Sequence, residues 1–290
     1  MDRRQAIQSL GAAGVSIVTS LTLSDAQTTR PQPHPNGYDP TVPPRPGSHP
    51  RHDMSHYNIP TQRQTVITLT YPGLSALDLV GAQQILCRMG NAEVRLVWKT
   101  KDVISTDTDI DIRPSDTFGD VEDEATILFV PGGSTGVSDV IGDDKVLDYL
   151  VKCAKKAKYI ASTGSGSLIL GAAGLLTGYK AAGHWTTRDL LAGFGAHPVE
   201  QRIVTDRNRV TAAGCTGSID FALHLVTVLR NANMAAALAL ANEYAPQVIH
   251  STGTPRTAPQ AVTEMEWAMN AGLRDELREA IESARIRRKV

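Results

Sequence analysis

The chain has 290 residues, of which 41% are hydrophobic and 20% charged, a composition that can bury a full core and places it among ordinary soluble globular proteins. Its formal net charge is −1, so it has no basic field to attract phosphates, which excludes recognition of nucleic acid through bulk charge. The three cysteines, Cys87, Cys153 and Cys215, are an odd number without C-x-x-C or metal-type spacing, which argues against a disulfide framework.

The first segment, "MDRRQAIQSLGAAGVSIVTSLTLSDAQ", pairs Arg3 with Arg4 ahead of a mildly apolar run from Leu10 to Leu23 and small residues around Ala26. It reads as a twin-arginine export signal over 1–26, cleaved after Ala26, with a periplasmic or otherwise exported destination. The apolar run is shorter than the roughly 18 to 20 residues that span a bilayer, so no stable membrane insertion is expected after cleavage. Residues 27–60 hold nine of the sixteen prolines and almost no aliphatic side chains. Such a segment cannot offset its ordering entropy by burial, and it reads as an extended, disordered linker. His34, His49, His52 and His56 fall there at irregular spacing with no carboxylate or thiol cluster, which fits a solvated linker better than a metal tract.

One domain is expected over 61–290, with no internal repeat. The runs 65–71, 92–100, 125–133 and 158–162 are rich in β-branched or apolar residues and end in Gly, Pro or Ser, as strands do. "ALDLVGAQQILCRM" and "DDKVLDYLVKCAKKA" carry apolar residues at three- and four-residue intervals, as helices do. Strand alternating with helix implies a parallel sheet covered on both faces. Further along, 199–214 reads as two short strands around Asp206-Arg207-Asn208, and 218–230 with 234–244 as a buried helical pair. A stripe of Val262, Met265, Met269, Leu273, Leu277 and Ile281 predicts one terminal helix running to about Arg288.

In an open parallel sheet the binding crevice lies beyond the carboxyl ends of the strands, so the loops after Tyr71, Val130 and Ser162 matter most. The third, "STGSGS", is a tight strand-to-helix turn of the kind that aims its apex residue at the crevice and leaves helical N–H groups free for a developing oxyanion. The hydrolase pattern G-x-S-x-G is absent, because Thr163 stands two residues before Ser165.

The blocks "ALDLVGA", "VRLVWK", "FVPGGSTGV", "TGSGSLILGAAGLLTG", "AAGHW", "GCTGSIDFALHL" and "EYAP" followed by "GTPRTAP" resemble the ThiJ/PfpI superfamily, and within it the isonitrile hydratases, from about Val66 to Arg285. The resemblance implies an α/β, flavodoxin-like three-layer sandwich of the class I glutamine-amidotransferase type, usually a homodimer, with no cofactor or metal. It also implies an elbow cysteine that attacks the isonitrile carbon, a carboxylate on the first loop that moves protons, and water that completes an N-substituted formamide. Aligned through "GSLILGAAGLL", that cysteine falls on Gly164, which has no side chain. The carboxylate is Asp78, the oxyanion donors are the N–H groups of Gly133 and Ser165, and His184 faces the elbow. "EYAPQVIH" departs from the family, which carries proline and an aromatic residue after its "EY-x-P".

Each residue also has a plainer reading. Asp78 lies in an apolar string where a charge is costly unless paired or used, though a helix N-cap also accounts for it. Gly132 and Gly133 suit an ordinary turn. His184 is either a core histidine or a pocket residue, and Ser165, one place off the apex, reads as the cap of the following helix. Cys87 and Cys153 read as small core residues, and Cys215 either as another or as a relocated nucleophile. Three functions follow. One is a hydratase-like protein disabled at Gly164 that retains a pocket for a small molecule of the isonitrile type; another is an active hydratase or hydrolase using Cys215, Ser165 or an Asp78-activated water. A non-enzymatic sensor or interaction module is the third.

Overall fold

In the computed structural model, which describes residues 62–121 and 125–289, the β-runs form one seven-stranded sheet. Along the chain come β1 (Gln64–Leu69), α1 (Ala76–Leu86), β2 (Ala92–Trp98), and the short β3 (Ile104–Ser105), β4 (Asp111–Ile112) and β5 (Asp116–Thr117). Next are β6 (Ile127–Val130), α2 (Gly136–Ile141), α3 (Asp144–Ala154), β7 (Tyr159–Thr163) and α4 (Gly166–Ala172). β8 (Lys180–Ala181), a 3-10 turn (Arg188–Phe194), β9 (His197–Pro198), β10 (Ile203–Asp206) and β11 (Arg209–Ala212) precede α5 (Gly217–Leu229) and α6 (Ala232–Ala241). The described chain ends with α7 (Gln260–Met269) and α8 (Ala271–Arg288). The expected leader and linker, with their four histidines, lie outside the described residues.

The strand order is β10-β11-β7-β6-β1-β2-β5, parallel throughout except for the β10–β11 hairpin. Parallel strands covered on both faces read as unbroken apolar runs, and all four residues of β6 are buried. One face packs α1, α5 and α6 through Ile85, Phe221, Leu225 and Met234. The other packs α2, α3, α4 and α8 through Val140, Leu147, Ile169 and Leu277. This is the flavodoxin-like sandwich. Because β1 lies between β2 and β6, the chain turns opposite ways on leaving those strands, which opens a crevice at their carboxyl ends.

The terminal stripe departs from expectation. It is split at Asn270 into α7 and α8, and only the second half is buried: Leu277 and Ile281 lie in the core, whereas Val262, Met265 and Met269 are exposed. The Asn270 amide donates to the Glu266 carbonyl at 2.8 Å, a local bond of the kind that competes with the backbone ladder. Cys153 is in the core as expected, but Cys87 is only half-buried at the end of α1, and Cys215 is exposed.

Candidate active site

The first two loops are stitched together before any functional group is placed. The Ser75 N–H donates to the Gly132 carbonyl at 2.7 Å, and the buried Tyr71 hydroxyl donates to the Pro131 carbonyl at 2.9 Å. Ser75 is the N-cap of α1, accepting from the Asp78 N–H at 3.5 Å, so the capping role considered for Asp78 belongs to Ser75. Asp78 is left in the first turn with its carboxylate aimed across the crevice, where Oδ1 accepts the Cys215 N–H at 2.7 Å.

Asp78 is 2% exposed. Burial drives its pKa up to about 6; the hydroxyls of Thr163 and Ser75 and the Cys215 N–H oppose the rise, and Asp107 adds to it. Both protonation states are therefore accessible near neutral pH. The carboxyl sits against bare backbone: a Cβ on Gly132 would stand 2.7 Å from Asp78 Oδ2, too close for any residue but glycine.

The elbow after β7 is formed with glycine at its apex. Gly164 has φ +55, and its N–H donates to the Ala212 carbonyl at 3.0 Å. A Cβ at this position would lie 3.1 Å from Asp78 Oδ2 and 3.6 Å from the Cα atoms of Gly132 and Gly214. A short side chain would stand directly against the carboxylate, which must give by a few tenths of an ångström to admit it. Ser165 occupies the cap position of α4, but its hydroxyl caps nothing. Instead it accepts the Gly133 N–H at 2.9 Å and donates to the Gly133 carbonyl at 2.6 Å. The reason is proximity: the loop after β6 offers a donor and an acceptor together. One of the two N–H groups assigned to an oxyanion by resemblance is thereby engaged by a neighbouring hydroxyl.

His184 Nδ1 lies 2.7 Å from the Thr186 hydroxyl and accepts the Thr186 N–H at 3.4 Å. Burial pulls its pKa down, with Glu266 opposing and Arg188 assisting, so the imidazole is neutral at pH 7. At Cys215 the backbone is left-handed, with φ 49. Although the residue as a whole is exposed, desolvation of its thiol first, then Asp78 and Asp107, push the thiol up against an opposing hydrogen bond with Ser75, which is the reverse of what an activated nucleophile needs.

A cavity of about 140 Å³ is lined by Asp78, Gly133, Gly164, Ser165, His184 and Cys215 together. All six positions singled out in the sequence thus meet at one place. Sequence reasoning missed Ser75, Asp107, Thr186, Asn270 and Leu273, which line the same cavity. Ser75 was findable, since Ser75-x-x-Asp78 before an apolar run is a capping signature. Asn270 and Leu273 arrive from the distant C-terminal helices and carry no local signal.

The DJ-1/PfpI family matches residues 64–228. Isonitrile hydratase of Pseudomonas putida is 40% identical over 196 residues, covering 68% of this chain and 85% of that protein. The crystal structure of a ThiJ/PfpI family protein from Pseudomonas syringae superposes with a TM-score of 0.76 at 38% identity, over 82% of this chain and 98% of that one. Drosophila melanogaster DJ-1beta shares the fold with a TM-score of 0.59 at 19% identity, over 63% of this chain and 98% of its own. By the extent of the family match and by these relatives, the chain belongs to the DJ-1/PfpI family.

Proposed function

We propose that this is a hydratase-like, small-molecule-binding protein that receives isonitriles or close analogues and lacks the covalent step. The observation that carries this reading is Gly164: the elbow has its left-handed apex and the apex faces Asp78, but no nucleophile stands there. The test is isonitrile hydration by the unmodified protein beside Gly164→Cys. The variant is expected to gain about 10²-fold or more over a near-zero rate, and to lose that gain on Asp78→Asn. A Gly164→Cys protein that folds, binds isonitrile and stays inactive would sink the proposal.

The pKa of Asp78 favours a second reading, slow hydration without a covalent intermediate. The protonated carboxyl gives its proton to the terminal carbon of R–N≡C, water adds to that carbon, and the carboxylate takes a proton back. Tautomerisation then gives R–NH–CHO, so one water is consumed and no oxidant is needed. Such activity would fall as pH rises through about 6, because the acid form disappears.

The proposal extends to a homodimer and to export by the twin-arginine route. Among the described residues no helix is long and apolar enough to cross a membrane. Fused to its own leader, the protein is expected in the periplasm, and the double change Arg3→Lys, Arg4→Lys is expected to hold it in the cytoplasm; fractionation decides.

A further inference from the structure

A second cavity, of about 330 Å³, lies between the 252–258 loop and α7, and His184 lines it as well as the inner one. The inner chamber, at about 140 Å³, is well below the ~300 Å³ at which cavities begin to enclose a whole organic ligand. It has room for a reacting head group, and because His184 lines both cavities, the outer one is the adjoining space for a substituent.

The outer wall supplies Glu266, Trp185 and the hydroxyl-bearing Thr252, Thr254 and Thr263. Glu266 is half-buried and makes no ion pair with lysine or arginine among the described residues. Arginines of the neighbouring segments are engaged elsewhere: Arg188 and Arg256 with Glu200 at 3.6 and 2.5 Å, and Arg274 with Asp189 at 2.7 Å. A partly desolvated carboxylate without a counter-ion, beside an indole, attracts a cation. The neutral imidazole of His184 does not fill that role.

We infer that the outer cavity is a subsite for a protonated amine on the ligand's substituent, with Glu266 as its counter-ion and Trp185 beside it. Isonitriles bearing an aminoalkyl tail are then the preferred class, an assignment that rests on the isonitrile reading for the head group alone.

Calorimetric titration separates the two. The probes are dimethylaminopropyl isonitrile, cationic at neutral pH, its neutral isostere isohexyl isonitrile, and the bare tail, dimethylpropylamine. The cationic isonitrile is expected to bind about tenfold more tightly than the isostere, and Glu266→Gln to bring that ratio near one. Equal affinities in the unmodified protein, or a ratio that survives Glu266→Gln, would overturn the subsite and leave the head-group reading standing. If neither isonitrile binds, the head-group reading fails and the bare tail decides. Binding of dimethylpropylamine that depends on Glu266 then upholds the subsite, and absent or Glu266-independent binding overturns it.

Discussion

Two positions beside Asp78 share a backbone conformation and carry opposite residues. Gly164, at the elbow, has φ +55, and Cys215, just ahead of α5, has φ 49. A left-handed backbone costs an ordinary residue about 1–2 kcal/mol and glycine almost nothing, so strain is absent from the elbow and present at Cys215. The strained position returns something specific: its N–H is aimed at Asp78 Oδ1. The backbone that holds the carboxylate has kept its strain, whereas the position that would use the carboxylate has none. The site holds a buried carboxyl beside a chamber, and the elbow apex that faces it carries no side chain.

The comparison is broken most severely at Gly214, which lies between the two. Its φ is +96, and a Cβ there would stand 2.6 Å from Gly164 Cα and 2.8 Å from Gly164 N. These contacts are backbone, which cannot rotate away. Gly214→Ala is expected to cost about 4 kcal/mol, read as a lowered urea midpoint.

Titration of Asp78 is the next largest effect. Its folded pKa of about 6 exceeds the ordinary 3.8, so the folded state binds the proton more tightly than the unfolded chain does. The resulting stability is fully present below pH ~4 and is lost as pH rises through about 6, amounting to about 3 kcal/mol. Asp78→Asn should flatten that dependence and be more stable than the unmodified protein at pH 7. A wild-type stability curve flat between pH ~4 and ~7 would show that Asp78 is not desolvated as described.

Adding a side chain at Gly164 has a smaller cost. The Cβ would press on Asp78 Oδ2 at 3.1 Å, a tight contact that a small shift of the carboxylate relieves, so Gly164→Cys should lose about 2 kcal/mol, mainly through backbone strain. Much of this neighbourhood could be read from local pattern. β1, β6 and β7 announce themselves by β-branched runs, and the elbow by small residues between an apolar strand and an apolar helix. The Ser165–Gly133 pair could not be read, because it joins loops 32 residues apart. The break at Asn270 was equally hidden. The apolar spacing continues through it, and only packing reveals that α8 is buried while α7 has no buried residue.

The smallest expected effect tests whether Cys215 acts as a nucleophile in this site. A relocated nucleophile would be a thiolate well below pH 8 and would react with iodoacetamide faster than Cys87 or Cys153. The structure surrounds Cys215 with the opposite influences: partial desolvation of the thiol and the carboxylates of Asp78 and Asp107 raise its pKa, outweighing Ser75. Labelling at pH 7 should therefore be slow, and should rise steadily into the alkaline range. Removing one of those charges sharpens the point. Asp78→Asn deletes a negative neighbour and keeps an oxygen for the Cys215 N–H, so labelling at pH 7 should quicken by about two- to fivefold. Were Asp78 instead the base that activates this thiol, the same change would slow labelling, and the sign of one rate ratio decides between a carboxylate that restrains Cys215 and one that serves it.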